Sequence, residues 1–331
     1  MRAVKVRKEV AEEQRTELLR AGVLREGFKP VTDDEHVFFP VEEAYEGDVV
    51  ERDFEEYYEP VSFRDRVASF LSDEELGFFI HSYDTVGRIA IVQISEELES
   101  KEQRIGKALL ESDGGIDTVR KRSGDRGGEF RLRETELLAG EPKTETVHVE
   151  HGARFLVDVE DVYFSPRLST ERGRIAELTG ENERVLVLFS GCGPFPFVLA
   201  EKTSCSVVGV EKNPAGHRLA RCSKENFGYD ATSFVCADAA EYVPDAVFDR
   251  VVMPAPFNAS TFLDRVPLLI ETGWVHIYGF VEDEEYESFA RSCVAKLETM
   301  GYEARCERVV VCGQRSPHEE RVCADVSIRT C

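Results

Sequence analysis

An apolar segment, Val185-Leu186-Val187-Leu188-Phe189, runs into a Gly-x-Gly turn at Gly191-Cys192-Gly193, and an apolar helical stretch follows. Glycines in such a turn let the backbone fold back tightly and approach a ligand without a Cβ collision. A second apolar segment ends at Glu211, followed by Lys212, and a third ends at Asp238-Ala239. A carboxylate closing the second strand accepts hydrogen bonds from both hydroxyls of a ribose. One closing the third can meet an adenine amino group. The third glycine of a dinucleotide fingerprint is missing; Pro194, Phe195 and Pro196 stand there, which leaves a poor seat for a pyrophosphate. The constellation suits S-adenosylmethionine better than a nicotinamide cofactor, although a Gly-x-Gly alone is more often a structural turn. Replacing Glu211 is expected to weaken cofactor binding and to leave the fold nearly unchanged.

The elements that must position these groups follow from the apolar pattern. Val185–Phe189, Ser206–Val210, Thr232–Cys236, Arg250–Pro254 and Trp274–Tyr278 read as strands alternating with helical segments, and a hairpin closes the chain. Five parallel strands and an antiparallel pair make a doubly wound sheet. His276, on a strand apolar on both sides, reads as a satisfied core histidine. Upstream, Ala3–Val6 and HVFFPV read as strands flanking a helix that ends near Gly22, and an acidic stretch leads to Pro60. A helix at Phe63–Phe70, a strand at Val86–Ile94 and a helix at Glu102–Glu111 follow. Three regions result: 1–60, a small α/β module with an acidic linker; 61–150, a middle domain; and 151–331, the doubly wound domain.

The 331 residues carry 41 basic and 64 acidic side chains, a formal net charge of −23. That balance disfavours indiscriminate nucleic-acid binding but leaves room for a local basic patch. From Lys101 to Arg133 there are nine Lys/Arg against six acids. This stretch is either a phosphate-contacting patch or a solvated helix face and loop. The nine cysteines are odd in number, all at or after Cys192, and none forms a CxxC. Reduced thiols in a cytoplasmic protein are expected, with neither a disulfide framework nor a zinc site. No apolar run approaches the roughly 18 residues of a membrane span, and the charged N-terminal stretch is unlike a signal peptide.

The run GEFRLRETELLAGEPKTETVHVEHGARFLVDVEDVYFSPRLSTERGRIAEL, continuing into FSGCGPFPF, resembles the archaeal and eukaryotic tRNA (guanine-37-N1)-methyltransferases. The likeness is specific from about Glu129 to Phe280. It implies a Rossmann-like class I methyltransferase domain preceded by two smaller α/β domains. The first of these would touch the tRNA elbow, while the catalytic domain takes the anticodon loop; a monomer is expected. It also implies methyl transfer from S-adenosylmethionine to N1 of the guanine just 3′ of the anticodon.

By the same resemblance Glu171 is the base that removes the N1 proton, although an acid in a first helical turn also stabilises the helix end. Arg131 is the cation that stabilises charge on O6, and Arg133, on the same face of a presumed strand, contacts phosphate; a solvated strand face is the alternative. Tyr163 stacks the splayed-out base or is a half-buried core tyrosine, and Arg167 flanks it. Arg172 faces the methionine carboxylate of the cofactor. Phe189, Gly191, Gly193, Glu211, Lys212, Asp238, Ala239 and Pro254 line the cofactor. Two positions depart from the family pattern. Val187 stands where an aspartate is usual, and Pro254-Ala255-Pro256 replaces an Asn-x-Pro loop, so an amide role there is absent or moved. An aminocarboxypropyl transferase of the wyosine pathway, on the same scaffold, and a tRNA-binding module without catalysis are the rival readings.

Overall fold

A computed structural model describes residues 1–25, 27–57, 61–124, 127–257, 262–282, 285–316 and 318–331. The expected boundary at Pro60 lies outside these residues, as do Asp125 and Arg126 of the basic stretch. The chain divides into two compact units, Met1–Arg66 and Val67–Cys331. Among the described residues no helix is long and apolar enough to cross a membrane.

In the first unit, strand Arg2–Arg7 pairs antiparallel with His36–Pro40 on one side and Val50–Glu51 on the other. Val4 and Val6 are buried while Lys5 and Arg7 face solvent, the alternation of a sheet covered on one face. Helix Ala11–Arg20 contributes Leu18 to the same core, alongside Phe39 and Val41. Gly22, at φ +66°, ends the helical region in the left-handed conformation that glycine adopts most readily.

The second unit opens with a four-stranded sheet: Tyr83–Val86, Ile89–Val92, Thr118–Arg122 and Thr135–Gly140, in that order. The strand expected over Val86–Ile94 is shorter, Ile89–Val92, and the start of the expected range forms the turn of a tight hairpin with Tyr83–Val86. Gly87, at φ +53°, turns the chain, and its amide donates to His148 Nδ1 at 3.0 Å. The apolar residues on either side of Gly87-Arg88 hid the turn, which a single glycine marks. The helix expected to reach Phe70 spans Phe63–Ala68, and Glu102–Ser112 packs on the sheet. A two-stranded ladder, Glu145–Glu150 with Ala153–Asp158, follows, turned by His151 and Gly152 at φ +50° and +89°.

The large sheet has seven strands in the order Thr232–Cys236, Ser206–Glu211, Arg184–Leu188, Arg250–Met253, Thr272–Glu282, Glu319–Thr330 and Tyr302–Ser316. The first five run parallel and the last two antiparallel. Val185 and Val187 enter one core and Leu186 and Leu188 the other. That is why this central strand is apolar throughout rather than alternating. The outermost strand is interrupted by three register shifts, between Cys306 and Arg308, Val311 and Gly313, and Gln314 and Ser316.

Candidate active site

The glycine turn sits at the carboxyl end of the central strand. Phe189 leaves the ladder at φ +55°, and Gly191 and Gly193 follow at +56° and +88°. At Gly193 a Cβ would lie 2.6 Å from the Phe197 ring and 3.0 Å from Phe234, so only glycine fits. Helix Pro194–Lys202 starts immediately, with proline in its first turn, where a missing N–H costs nothing. Glu211 reaches back under the turn. One carboxylate oxygen accepts from the Gly191 amide and the other from the Asn213 amide, both at 2.6 Å. Burial raises its pKa, and these backbone hydrogen bonds oppose the rise. Each oxygen keeps a second lone pair, so the brace does not remove the capacity to accept from a ribose.

Lys212, beside it, bridges Asp238 at 2.8 Å and Glu129 at 2.5 Å, and its hydrogen bond holds the Asp238 carboxyl below its ordinary range. Ala239 is buried beneath, Pro254 is half-buried at the end of the fourth strand, and Phe189 meets Phe262 edge-on at 4.8 Å. Phe189, Gly191, Gly193, Glu211, Asp238, Ala239 and Pro254 therefore all stand at or just past the carboxyl ends of the first four parallel strands. That is the crevice where open α/β sheets bind ligands.

A second group lies around helix Ser169–Leu178. Glu171, in its first turn, is 3% exposed. Arg174 grips both its oxygens at 2.7 and 2.8 Å, and the Tyr278 hydroxyl donates to it at 2.5 Å. Arg174 also binds Asp325 at 2.6 and 3.1 Å, and Asp325 accepts from His276 at 2.7 Å. His276 meets Arg250 at 2.6 Å, and Arg250 ends on Glu183. A buried chain of alternating charge thus runs from Glu171 to Glu183, and His276 is a satisfied core histidine, as its strand implies. Burial lowers the His276 pKa despite Asp325. Burial pushes the Asp325 carboxyl up, but the hydrogen bonds from His276 and Arg174 outweigh it and hold it well below the usual range. His276, Cys323 and Asp325 converge closely enough to suggest a metal, yet Arg174 already holds Asp325, Arg250 and Asp325 hold the two ring nitrogens of His276, and the Cys323 thiol donates to Asp325.

Three expectations need correction. Arg172 is 2% exposed; it makes a bidentate ion pair with Glu150 and donates to the Ser165 carbonyl at 3.1 Å, so it braces the protein and has no face open to a cofactor carboxylate. Arg131 and Arg133 do not share a strand face. Residues 128–131 form a turn after Gly127 and Gly128, Arg131 sits at φ +53°, and the strand begins only at Thr135. Finally, Arg120, Lys121 and Arg122 are not free for phosphate. Arg120 is buried against Thr135 and Glu160, Lys121 pairs with Glu102 and Glu136, and Arg122 pairs with Asp84. These three side chains are paired with carboxylates from other parts of the fold.

The remaining residues lie as follows. Arg167 is exposed and pairs with Asp84 at 2.9 Å. Arg133 is half-buried. Tyr163 is half-buried; its backbone carbonyl lies beside Gly191 and its hydroxyl accepts from Arg321 at 3.1 Å. Arg131 places its guanidinium 3.9 Å from the centre of the Phe257 ring. Sequence reasoning passed over Arg174, Tyr278, Asp325, Arg321 and Phe257. Only Asp325 carried a signal, a lone acid inside the apolar strand RVCADVSI.

A parallel sheet with its first strand central, closed by an antiparallel hairpin and carrying a glycine turn after strand one and acids after strands two and three, defines a Rossmann-like class I methyltransferase. Residues 146–309 match the TRM5/TYW2 methyltransferase domain, residues 63–144 the TYW2 N-terminal domain, and residues 3–50 the tRNA methyltransferase 5 N-terminal domain. The chain belongs to the TRM5/TYW2 methyltransferase family. It is 33% identical over 313 residues to the tRNA (guanine(37)-N(1))-methyltransferase Trm5b of Pyrococcus abyssi, covering 90% of this chain and 92% of that one. To Trm5b of Methanocaldococcus jannaschii it is 31% identical, covering 88% and 90%. The crystal structure of Pyrococcus abyssi Trm5b superposes with a TM-score of 0.76 at 30% identity, over 99% of each chain. A Trm5 solved in complex with tRNALeu superposes at 0.74 with 27% identity, over 98% of this chain and 99% of that one.

Proposed function

We propose that this chain methylates N1 of guanine 37 in tRNA, with S-adenosylmethionine as donor. The observation that carries this reading is the 33% identity with Pyrococcus abyssi Trm5b along nine-tenths of both chains. The residues at the strand ends fit the donor: Glu211 retains acceptor lone pairs toward a ribose, Asp238 offers a carboxylate to an adenine amino group, and the two positive-φ glycines keep the turn free of side chains. When bound, the donor supplies an electrophilic methyl group.

The chain's own residues must free the N1 lone pair, which is tied up by a proton at neutral pH. Glu171 takes that proton on a carboxylate oxygen, an action typically worth about 10²–10⁴-fold. Arg174 and Tyr278 hold Glu171 oriented, and Arg174 is itself shared with Asp325. Arg131 stabilises the charge that grows on O6 as N1 is deprotonated. Tyr163 stacks the extruded base, while Arg167 and Arg133 take phosphates of the loop. On this reading residues 1–60 reach the tRNA elbow, 61–150 form a middle domain, and 151–331 hold the chemistry of a monomeric cytoplasmic enzyme.

The test is incubation of purified protein with labelled donor and tRNA transcripts bearing G or A at position 37, followed by mass analysis of the nucleoside. Addition of one methyl group to G37 and none to A37 is expected. A three-carbon amino acid adduct would assign the chain to aminocarboxypropyl transfer instead, and unmodified tRNA with no donor binding would leave only a binding module.

A further inference from the structure

Arginines in this protein are held in two different ways. Arg172, Arg174 and Arg250 are gripped by carboxylates, and a guanidinium so held has its charge largely cancelled. Arg131 makes no ion pair among the described residues; its guanidinium lies 3.9 Å from the centre of the Phe257 ring. The face of an aromatic ring attracts a cation through its quadrupole and leaves the net charge intact. For a group whose work is to meet developing negative charge, that is the more useful tether.

The surroundings support such a role. Two residues before Arg131, Glu129 is tied to Lys212 at 2.5 Å, and Lys212 to Asp238, so the loop is anchored at the cofactor end of the sheet. Phe257 follows Pro254-Ala255-Pro256, a stretch with no polar side chain able to hold a guanidinium. Its ring is itself braced edge-on by Phe280, with centroids 4.6 Å apart.

We propose that Phe257 is the positioning residue for Arg131, holding the cation over the target base by its ring face where Pro254-Ala255-Pro256 carries no side-chain amide. The inference rests on the assignment of Arg131 to O6 stabilisation above. Phe257 is 42% exposed, so its replacement leaves the core intact.

The experiment is single-turnover methyl transfer, at saturating donor and with enzyme in saturating excess over tRNA, for Phe257→Leu, Phe257→Tyr, Arg131→Ala and the double variant Phe257→Leu/Arg131→Ala. Phe257→Leu is expected to slow the chemical step about three- to tenfold, the size of a cation–π tether, with donor affinity unchanged. Phe257→Tyr, which keeps the π face, recovers most of the rate. The double variant is no slower than Arg131→Ala alone, because the ring acts only through the arginine. Phe257→Leu at the wild-type rate, or losses that multiply in the double variant, overturns the inference while Arg131 keeps its role. Arg131→Ala at the wild-type rate overturns that role, and the inference with it.

Discussion

Replacing Glu211 by alanine removes two things at once, and the structure separates them. Both carboxylate oxygens accept backbone amides at 2.6 Å, from Gly191 and Asn213, so alanine leaves two donors beneath the turn without a partner. At about 1–3 kcal/mol for each orphaned donor, and with the cost of burying a charge relieved, the protein without cofactor should lose about 2–4 kcal/mol. In a unit of this size that lowers the unfolding midpoint by roughly 5–10 °C. The expectation of an unchanged fold is thereby reversed. Cofactor affinity should fall by about 10²-fold, as the ribose hydroxyls lose a charged acceptor and the turn loses its brace.

The pH dependence has a definite sign. Burial raises the Glu211 pKa, so the stability linked to it is fully present below the unfolded value of about 4.3 and is lost as pH rises through the folded value. The alanine variant lacks that slope. Thermal unfolding across pH without cofactor, together with calorimetric titration by S-adenosylmethionine, measures both effects. A wild-type midpoint in the variant would refute the brace. A lowered midpoint with unchanged affinity would refute the ribose contact.

Asp325→Asn should cost about 3–5 kcal/mol, since Arg174 loses one of its two carboxylates and His276 its charged partner in a buried site, and denaturation without cofactor checks this. Because the folded Asp325 pKa is depressed, its contribution is present above about pH 3.9 and lost as pH falls; the variant should lack that acid limb. Glu171→Gln and Arg131→Ala should both slow single-turnover transfer, but only Glu171→Gln should recover as pH rises toward the pKa of guanine N1, and parallel profiles would reduce Glu171 to a structural acid. Lys121→Gln with Arg122→Gln should leave the salt dependence of tRNA binding unchanged, because both side chains are already paired. A log–log slope shallower by about two would make them phosphate contacts after all.

The parallel sheet was legible because its central strands bury both faces and so read as short unbroken apolar runs between glycines and charges. Gly191, Gly193, Glu211 and Asp238 were legible because the fold places them at strand ends, where spacing along the chain reports position in space. What lay hidden depends on contacts between distant residues. Tyr278 reaches Glu171 across 107 positions and Asp325 reaches Arg174 across 151, and no local pattern announces either. The basic stretch misled for the same reason, since its neutralising acids include Asp84, Glu136 and Glu160 from other elements. Arg131 and Arg133 were misplaced because period-two spacing imitates a strand, whereas Gly127 and Gly128 make a turn.

The three register shifts in Tyr302–Ser316 bear on how the protein behaves when crowded with copies of itself. This is an edge strand of 15 residues, and its outer row of amides and carbonyls is a template on which another chain can polymerise. Each shift kinks that row and throws the next groups out of phase. The longest uninterrupted register, Tyr302–Cys306, also carries Glu303 and Arg305, charges that an incoming strand would have to desolvate. The hairpin that completes the catalytic sheet thus also blunts its own outer edge, and straightening it by deleting the bulge residues would lengthen the regular edge open to an incoming strand.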